Sequence, residues 1–238
     1  MNKLSSKAVF ITGTDTGVGK TMICGLMARY FHTLGIRAVT QKWVQTGCAH
    51  CDDIGAHLSL MGRSKAEYEA YTGYMAPYRF NLPASPHLAA RLDGDKINTG
   101  RLKEATRRLS AAFDLVIVEG AGGVDVPLDE KTMMIDLCVD MKMPVIVVSV
   151  NRVGTINHTV LTIEALKNRG AYVLGVIYNR LSGECPGEVL EDNPVIIKNF
   201  TGVDTLGEIF YAEDPDRAYG NIVPAGERML KKLMADHG

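Results

Sequence analysis

Apolar residues along the chain fall into two rhythms: short solid runs, and longer stretches with an apolar position every three or four places. The first run, Ala8-Val9-Phe10-Ile11, predicts a buried strand, and Ile23, Leu26, Met27, Tyr30 and Phe31 behind it mark one face of a helix. Gly35 closes that helix, Ile36 to Val44 predicts a second strand, and the chain turns polar, as a loop, from Gln45 to Asp53. Short helices are expected over Asp53–Leu60 and Ser64–Tyr71. Pro77, Pro83 and Pro86 make Tyr74–Pro86 a long irregular loop, stiff enough at Pro83–His87 to hold a shape. A short helix, Leu88–Leu92, follows, with His87 capping or packing at its start.

Thr99–Phe113 reads as a basic amphipathic helix with Leu102, Ala105, Leu109, Ala112 and Phe113 on one face and its charges in solvent. Asp114–Glu119 is a second solid run, followed by a helix over Met133–Met141 and a strand over Pro144–Val150. A helix from Gly154 through Arg169 and a strand over Tyr172–Tyr178 complete the regular part. From Ser182 onward the sequence reads as irregular, apart from Leu206-Gly207-Glu208-Ile209 and a terminal helix over Pro224–Met234. Repeated strand–helix units with right-handed crossovers imply one α/β domain over residues 1–238, built on a doubly wound, mainly parallel sheet with helices on both faces.

Composition narrows the partners. The 238 residues carry 26 Lys and Arg against 27 Asp and Glu, with basic residues scattered, which disfavours a nucleic-acid surface or an anionic-membrane patch and favours small molecules. No run approaches the roughly 18 to 20 apolar residues that span a bilayer. The polar start Met1–Lys7 and an odd set of five cysteines suit a cytoplasmic, reducing setting. Cys48, His50 and Cys51, with His57 near, lack the second pair that a structural zinc site needs, so metal or redox chemistry is not expected there. Cys24 and Cys138 fall on apolar helix faces and read as small core residues.

Between the first strand and first helix lies Gly13-Thr14-Asp15-Thr16-Gly17-Val18-Gly19-Lys20-Thr21. Glycines here let consecutive backbone N–H groups point at phosphate oxygens, and the helix behind adds the positive end of its dipole. Lys20 would reach the β- and γ-phosphates, and the Thr21 hydroxyl would face Mg²⁺. Thr14 stands where the strict phosphate-loop pattern asks for glycine, with Gly13 one place early.

Ligands of open parallel sheets bind beyond the carboxyl ends of the strands, which puts Lys42, Thr46 and Asp53 on the rim of the phosphate loop. The run ending Val118-Glu119-Gly120-Ala121-Gly122-Gly123 delivers a buried carboxylate to that rim, a direct or water-mediated Mg²⁺ ligand. Its glycines let another group approach the backbone. N–H groups at the helix opening Gly154–Thr159 suit a carboxylate, and the Asn179 amide suits a heterocycle such as adenine.

In combination these stretches, together with Ser85-Pro86-His87, resemble the dethiobiotin synthetases of the phosphate-loop NTPase superfamily over roughly residues 8 to 212. The resemblance implies ATP- and Mg²⁺-dependent carboxylation of 7,8-diaminononanoate with CO2, phosphorylation of the carbamate and closure of a cyclic urea. It further implies nucleotide contacts from Asp15, Thr16, Gly17, Val18, Gly19, Lys20, Thr21, Glu119 and Asn179. Lys20, Lys42 and Thr16 become catalytic, and Thr21, Asp53 and Glu119 hold the metal, with Asp53 favoured over Asp52. Thr46, Gly122, Gly123, Thr155, Ile156 and Asn157 would bind substrate, the last three from the other subunit of a homodimer. Trp43 and Phe210 stand where the family usually has proline. A partitioning-type switch ATPase is disfavoured because its signature lysine is Asp15 here, and a nucleotide-binding regulatory module because Lys20, Thr21, Lys42 and Glu119 are all present.

Overall fold

The computed structural model describes residues 4–48, 52–181, 185–210 and 214–235. Six strands form one all-parallel sheet: β1 (Ala8–Gly13), β2 (Ala38–Lys42), β5 (Leu115–Glu119), β6 (Val145–Val150), β7 (Val173–Arg180) and β8 (Thr205–Phe210). Their order is β2-β5-β1-β6-β7-β8. β1, β2 and β5 are buried almost throughout, which is why they read as solid apolar runs rather than alternating ones. The chain steps from β1 outward to β2, returns through β5, then crosses to β6. The strand order therefore reverses beside β1, and the ligand crevice of such sheets opens there.

Helices α1 (Lys20–Thr33), α2 (Asp53–Met61) and α9 (Pro215–Met234) pack together, as do α7 (Thr155–Asn168) and α8 (Gly187–Thr201). The N-terminal segment is tied to the last helix, the Ser5 N–H donating to the Leu233 carbonyl. Among the described residues no helix is long and apolar enough to cross a membrane.

Four expectations change. β2 stops at Lys42, and Val44–Thr46 is a separate strand, β3, pairing in parallel with β4 (Tyr78–Phe80) inside the stretch expected to be irregular. Three-residue strands between prolines carry too little pattern to read. The Ser64–Tyr71 segment is a 3-10 helix over Lys65–Tyr71, followed by the single turn α3 (Thr72–Met75). Among the described residues beyond Ser182 most are regular, in α8, β8 and α9: α8 buries Asn193, Ile197 and Thr201, a face whose polar members hide its period. The terminal helix begins nine residues before Pro224, and its buried face, Ala218, Ile222, Ala225, Met229 and Leu233, runs through that proline. The remaining helices, α4 (Pro86–Leu92), α5 (Thr99–Ala112) and α6 (Met134–Asp140), lie where the periodicity places them.

Trp43 is completely buried, its ring 4.9 Å from that of Phe10 and its indole N–H donating to Thr106 Oγ1 at 3.2 Å. Thr106 Oγ1 donates in turn to Gln41 Oε1 at 2.7 Å. This network clamps the carboxyl end of β2, and with it Lys42, against α5.

Candidate active site

The loop after β1 wraps a turn of backbone around its own lysine. Gly17 (φ 74°) and Gly19 (φ 96°) are left-handed, a conformation that glycine takes without strain. A Cβ on Gly13 would come within 2.9 Å of Val18 Cγ2, the Asp15 carbonyl and Lys20 Nζ, and one on Gly19 would be 2.2 Å from Asn179 Nδ2. Glycine is thus required where the loop folds back, and Thr14 is accommodated by pointing the other way: its N–H donates to the Val148 carbonyl and its hydroxyl to Ser149 Oγ. Lys20 Nζ donates to the Asp15 carbonyl at 2.9 Å. Burial, then the nearby Lys42 ammonium, lower Lys20 to about 8. Asp15 itself is exposed, its Oδ1 accepting from the Thr16 N–H.

Register brings the next two groups together: Lys42 at the end of β2 is paired with Glu119 at the end of β5. Lys42 Nζ lies 2.6 Å from Glu119 Oε1 and 3.0 Å from Asp53 Oδ2, and Thr21 Oγ1 donates to the same Glu119 oxygen at 3.0 Å. Burial pushes the Glu119 carboxyl up, but the Lys42 ammonium, aided by a hydrogen bond from His57, outweighs it and holds the group at about 2. Burial likewise works against the Lys42 charge, and the Glu119 and Asp53 carboxylates hold its ammonium well above the ordinary lysine value.

Asp52 points elsewhere. It caps α2 through the Gly55 N–H and pairs with Lys65 at 2.5 Å, whereas Asp53, one position on, faces the rim. Asp53 and Glu119 already share one cation, the Lys42 ammonium, and Thr21 joins them through Glu119 Oε1. This all-oxygen set suits Mg²⁺, which takes oxygen ligands and keeps several waters. A second group of donors, Cys24, His57 and Glu119, lies within 4.8 Å of one another. Burial, then the Glu119 charge, push the Cys24 thiol well above its ordinary value; Cys24 and His57 lie outside the cavity lining and offer sulfur and nitrogen, so the oxygen set is the better Mg²⁺ site. His57 is directed at Glu119 rather than toward Cys48, whose thiol donates to the Gln45 carbonyl; His50 and Cys51 lie outside the described residues.

These groups border a cavity of about 590 Å³ lined by Thr16, Gly17, Gly19, Lys20, Thr21, Lys42, Thr46, Asp53, Glu119 and Gly122. Pro83, Ala84, Ser85 and Pro86 form its far wall, the part of the long loop expected to hold a shape. Val18 and Asp15 are outside the lining, and Gly123 lies against the loop, where a Cβ would meet the Gly13 carbonyl at 3.4 Å. Thr155, Ile156 and Asn157 also lie outside it, at the start of α7, where the Thr155 hydroxyl donates to the Val150 carbonyl. The Asn179 amide donates to the Val18 carbonyl at 3.0 Å, buttressing the phosphate loop from β7. Next to it the Arg180 guanidinium stacks over Phe210, 4.7 Å from the ring centroid, and pairs with Glu208 at 2.5 Å.

Comparison with known proteins agrees with this geometry. A family described as AAA domain matches residues 7–218. The ATP-dependent dethiobiotin synthetase BioD of Chlorobaculum tepidum is 42% identical over 178 residues, covering 74% of each chain. BioD 2 of Haemophilus influenzae is 40% identical over 174 residues, 73% of this chain and 91% of that one. This chain belongs to the dethiobiotin synthetase family. BioD from an Anaeromyxobacter species extends the match to 212 residues, 87% of this chain and 92% of that one, at 37% identity.

Among solved structures, the cell division ATPase MinD of Pyrococcus furiosus superimposes with a TM-score of 0.57 at 18% identity, covering 97% of this chain and 99% of that one. The MinC:MinD cell division complex of Aquifex aeolicus gives 0.57 at 17%, covering 98% of each. Both show the fold alone, that of a phosphate-loop NTPase. Within a dethiobiotin synthetase framework, the residue that sequence reasoning missed is His57. The signal was its place four residues after Asp53, on the same face of α2.

Proposed function

We propose that this protein is an ATP- and Mg²⁺-dependent cyclo-ligase. It carboxylates 7,8-diaminononanoate with CO2 and closes the product to dethiobiotin, releasing ADP and phosphate. The observation that carries the reading is the meeting of Lys42, Asp53 and Glu119 with Thr21 at the mouth of the phosphate loop. It provides both a triphosphate cradle and a second cationic group for another anion in the same cavity.

One amine of the diamine adds to CO2 and loses a proton, giving a carbamate. The carbamate oxygen takes the γ-phosphoryl group of ATP, and the second amine then attacks the carbamate carbon, expelling phosphate. Phosphoryl transfer asks the protein mainly for positioning and charge neutralisation. Lys20 and the loop amides from Asp15 to Thr21 hold the triphosphate; Lys42 neutralises the carbamate; Thr16 and Thr46 donate to phosphate or carbamate oxygens; Gly122 and Gly123 let the diamine lie along the backbone. Mg²⁺, held by Thr21, Asp53 and Glu119, would neutralise phosphate charge. Asn179 is the candidate reader of the base.

A homodimer completes the reading. The α7 opening at Thr155–Asn157 lies away from the cavity, with Val153, Ile156 and Asn157 exposed, and would receive the substrate carboxylate from a second copy. A single domain over residues 1–238 is supported by the tie between Ser5 and Leu233, and a cytoplasmic setting by Cys24, Cys48, Cys138 and Cys185, which are free among the described residues. Incubation with ATP, Mg²⁺, bicarbonate and 7,8-diaminononanoate tests the reading. Phosphate release must require both bicarbonate and the diamine; release independent of either rejects it.

A further inference from the structure

His57 is completely buried, four residues after Asp53 on α2, and nothing in the reaction calls for an imidazole there. Its Nε2 lies 2.7 Å from Glu119 Oε2, while Nδ1 has no hydrogen-bond partner. A buried N–H without an acceptor costs more than a bare lone pair, so the proton belongs on Nε2 and is donated to the carboxylate. The two Glu119 oxygens are therefore divided: Oε1 serves Lys42 and Thr21 on the cavity side, and Oε2 serves His57 on the α2 side.

We infer that His57 is a positioning residue that restricts Glu119 to a single-oxygen ligand and so selects Mg²⁺ over Ca²⁺. The inference rests on the metal-site reading above. Ca²⁺ takes six to eight oxygens and uses carboxylates through one oxygen or both, whereas Mg²⁺ requires a tight octahedron and retains its waters. A carboxylate pinned through Oε2 cannot turn both oxygens to one ion. Removing the pin admits the two-oxygen mode that favours the larger cation, while an amide donor at the same position preserves the restriction.

The test is displacement of Mn²⁺, followed by electron paramagnetic resonance in the presence of ADP, with Mg²⁺ and Ca²⁺ as competitors. Three proteins are compared: wild type, His57→Leu and His57→Gln. His57→Leu is expected to improve Ca²⁺ relative to Mg²⁺ by about tenfold or more, and His57→Gln to stay within about threefold of wild type. A His57→Leu ratio within about threefold of wild type overturns the inference, as does a His57→Gln ratio that moves with His57→Leu. Should wild type bind no Mn²⁺ with ADP, the metal site itself is refuted and the inference falls with it.

Nitrogen-15 histidine spectra of the unmodified protein supply a second reading that needs no variant to fold. The His57 Nε2–H resonance should stay hydrogen-bonded when Mg²⁺ and ADP are added; its loss means that Glu119 is released, and the inference fails.

Discussion

Replacing Lys42 by methionine keeps most of the side chain's length while removing its charge. In the wild type the Glu119 carboxyl is held at about 2 instead of 4.5. At about 1.4 kcal/mol per pH unit, that depression corresponds to about 3 kcal/mol of stability at neutral pH. The estimate agrees with the roughly 3–5 kcal/mol typical of breaking a buried pair from one side. Asp53 adds less, being partly exposed to water that can replace the ammonium. For a chain of this length such a loss lowers Tm by roughly 6 to 20 °C.

The pH dependence gives the sharper signature. A depressed carboxyl stabilises the wild type above its unfolded value, and that stability is lost as pH falls from about 4.5 toward 2. Without Lys42, burial acts on Glu119 with only His57 and Thr21 to oppose it, so the carboxyl rises and acidification relieves the variant. The gap between the two proteins should therefore narrow from pH 7 toward pH 4.5 in urea melts. The double variant Lys42→Met/Glu119→Gln should be more stable than Lys42→Met alone. A Tm loss under about 3 °C, or a gap that does not narrow on acidification, refutes the electrostatic reasoning.

Three further outcomes follow from the same geometry. Gly19→Ala places a Cβ 2.2 Å from Asn179 Nδ2 at φ 96°, so calorimetric ADP affinity should fall at least tenfold; unchanged affinity would mean the loop tolerates a side chain there. With Lys20 near 8, about half is neutral at pH 8, and binding of ATP should draw roughly half a proton from solution. Calorimetry in buffers of different ionisation enthalpy reads this, and identical heats in all buffers contradict it. Trp43→Ala removes a completely buried ring and should cost about 3–5 kcal/mol in urea unfolding, with Trp43→Phe costing distinctly less; equal losses would make the Thr106 hydrogen bond, not packing, the main contribution.

The parts of this molecule legible in its sequence are those where one physical demand dominates. β1, β5 and β6 are enclosed on both faces, so burial writes them as solid apolar runs, and the phosphate loop is written by glycines that no other residue can replace. The rim positions of Lys42 and Glu119 followed from strand ends alone, and Asp53 from the start of a helix. Where two demands compete, the pattern blurs. β3 and β4 are short strands amid prolines; α8 buries Asn193 and Thr201 through hydrogen bonds rather than apolar contact; and Pro224 interrupts α9 in sequence while the apolar face continues past it. His57 was hidden for a different reason. Its spacing from Asp53 puts it on the rim-facing side of α2, but its partner lies 62 positions away on another element, and that spacing does not name it.

That hydrogen bond belongs to a cluster whose cost explains its purpose. Lys42, His57 and Glu119 are nearly without solvent, and removing ions from water often costs as much as their attraction returns, so well-packed apolar residues would serve stability as well or better. What an apolar replacement cannot supply is a carboxylate fixed in orientation and kept ionised across the whole neutral range. Burial alone would protonate Glu119; Lys42 keeps it charged, and His57 and Thr21 fix its two oxygens. Lys42 in turn keeps its own proton because two carboxylates face it. Each charge is thus maintained by the others, and either can be offered to a ligand of opposite sign without first being created. The same dependence places the groups on three different elements, β2, β5 and α2, so that the register of β2 on β5 and the packing of α2 against β2, rather than any flexible loop, set the distances at which they meet.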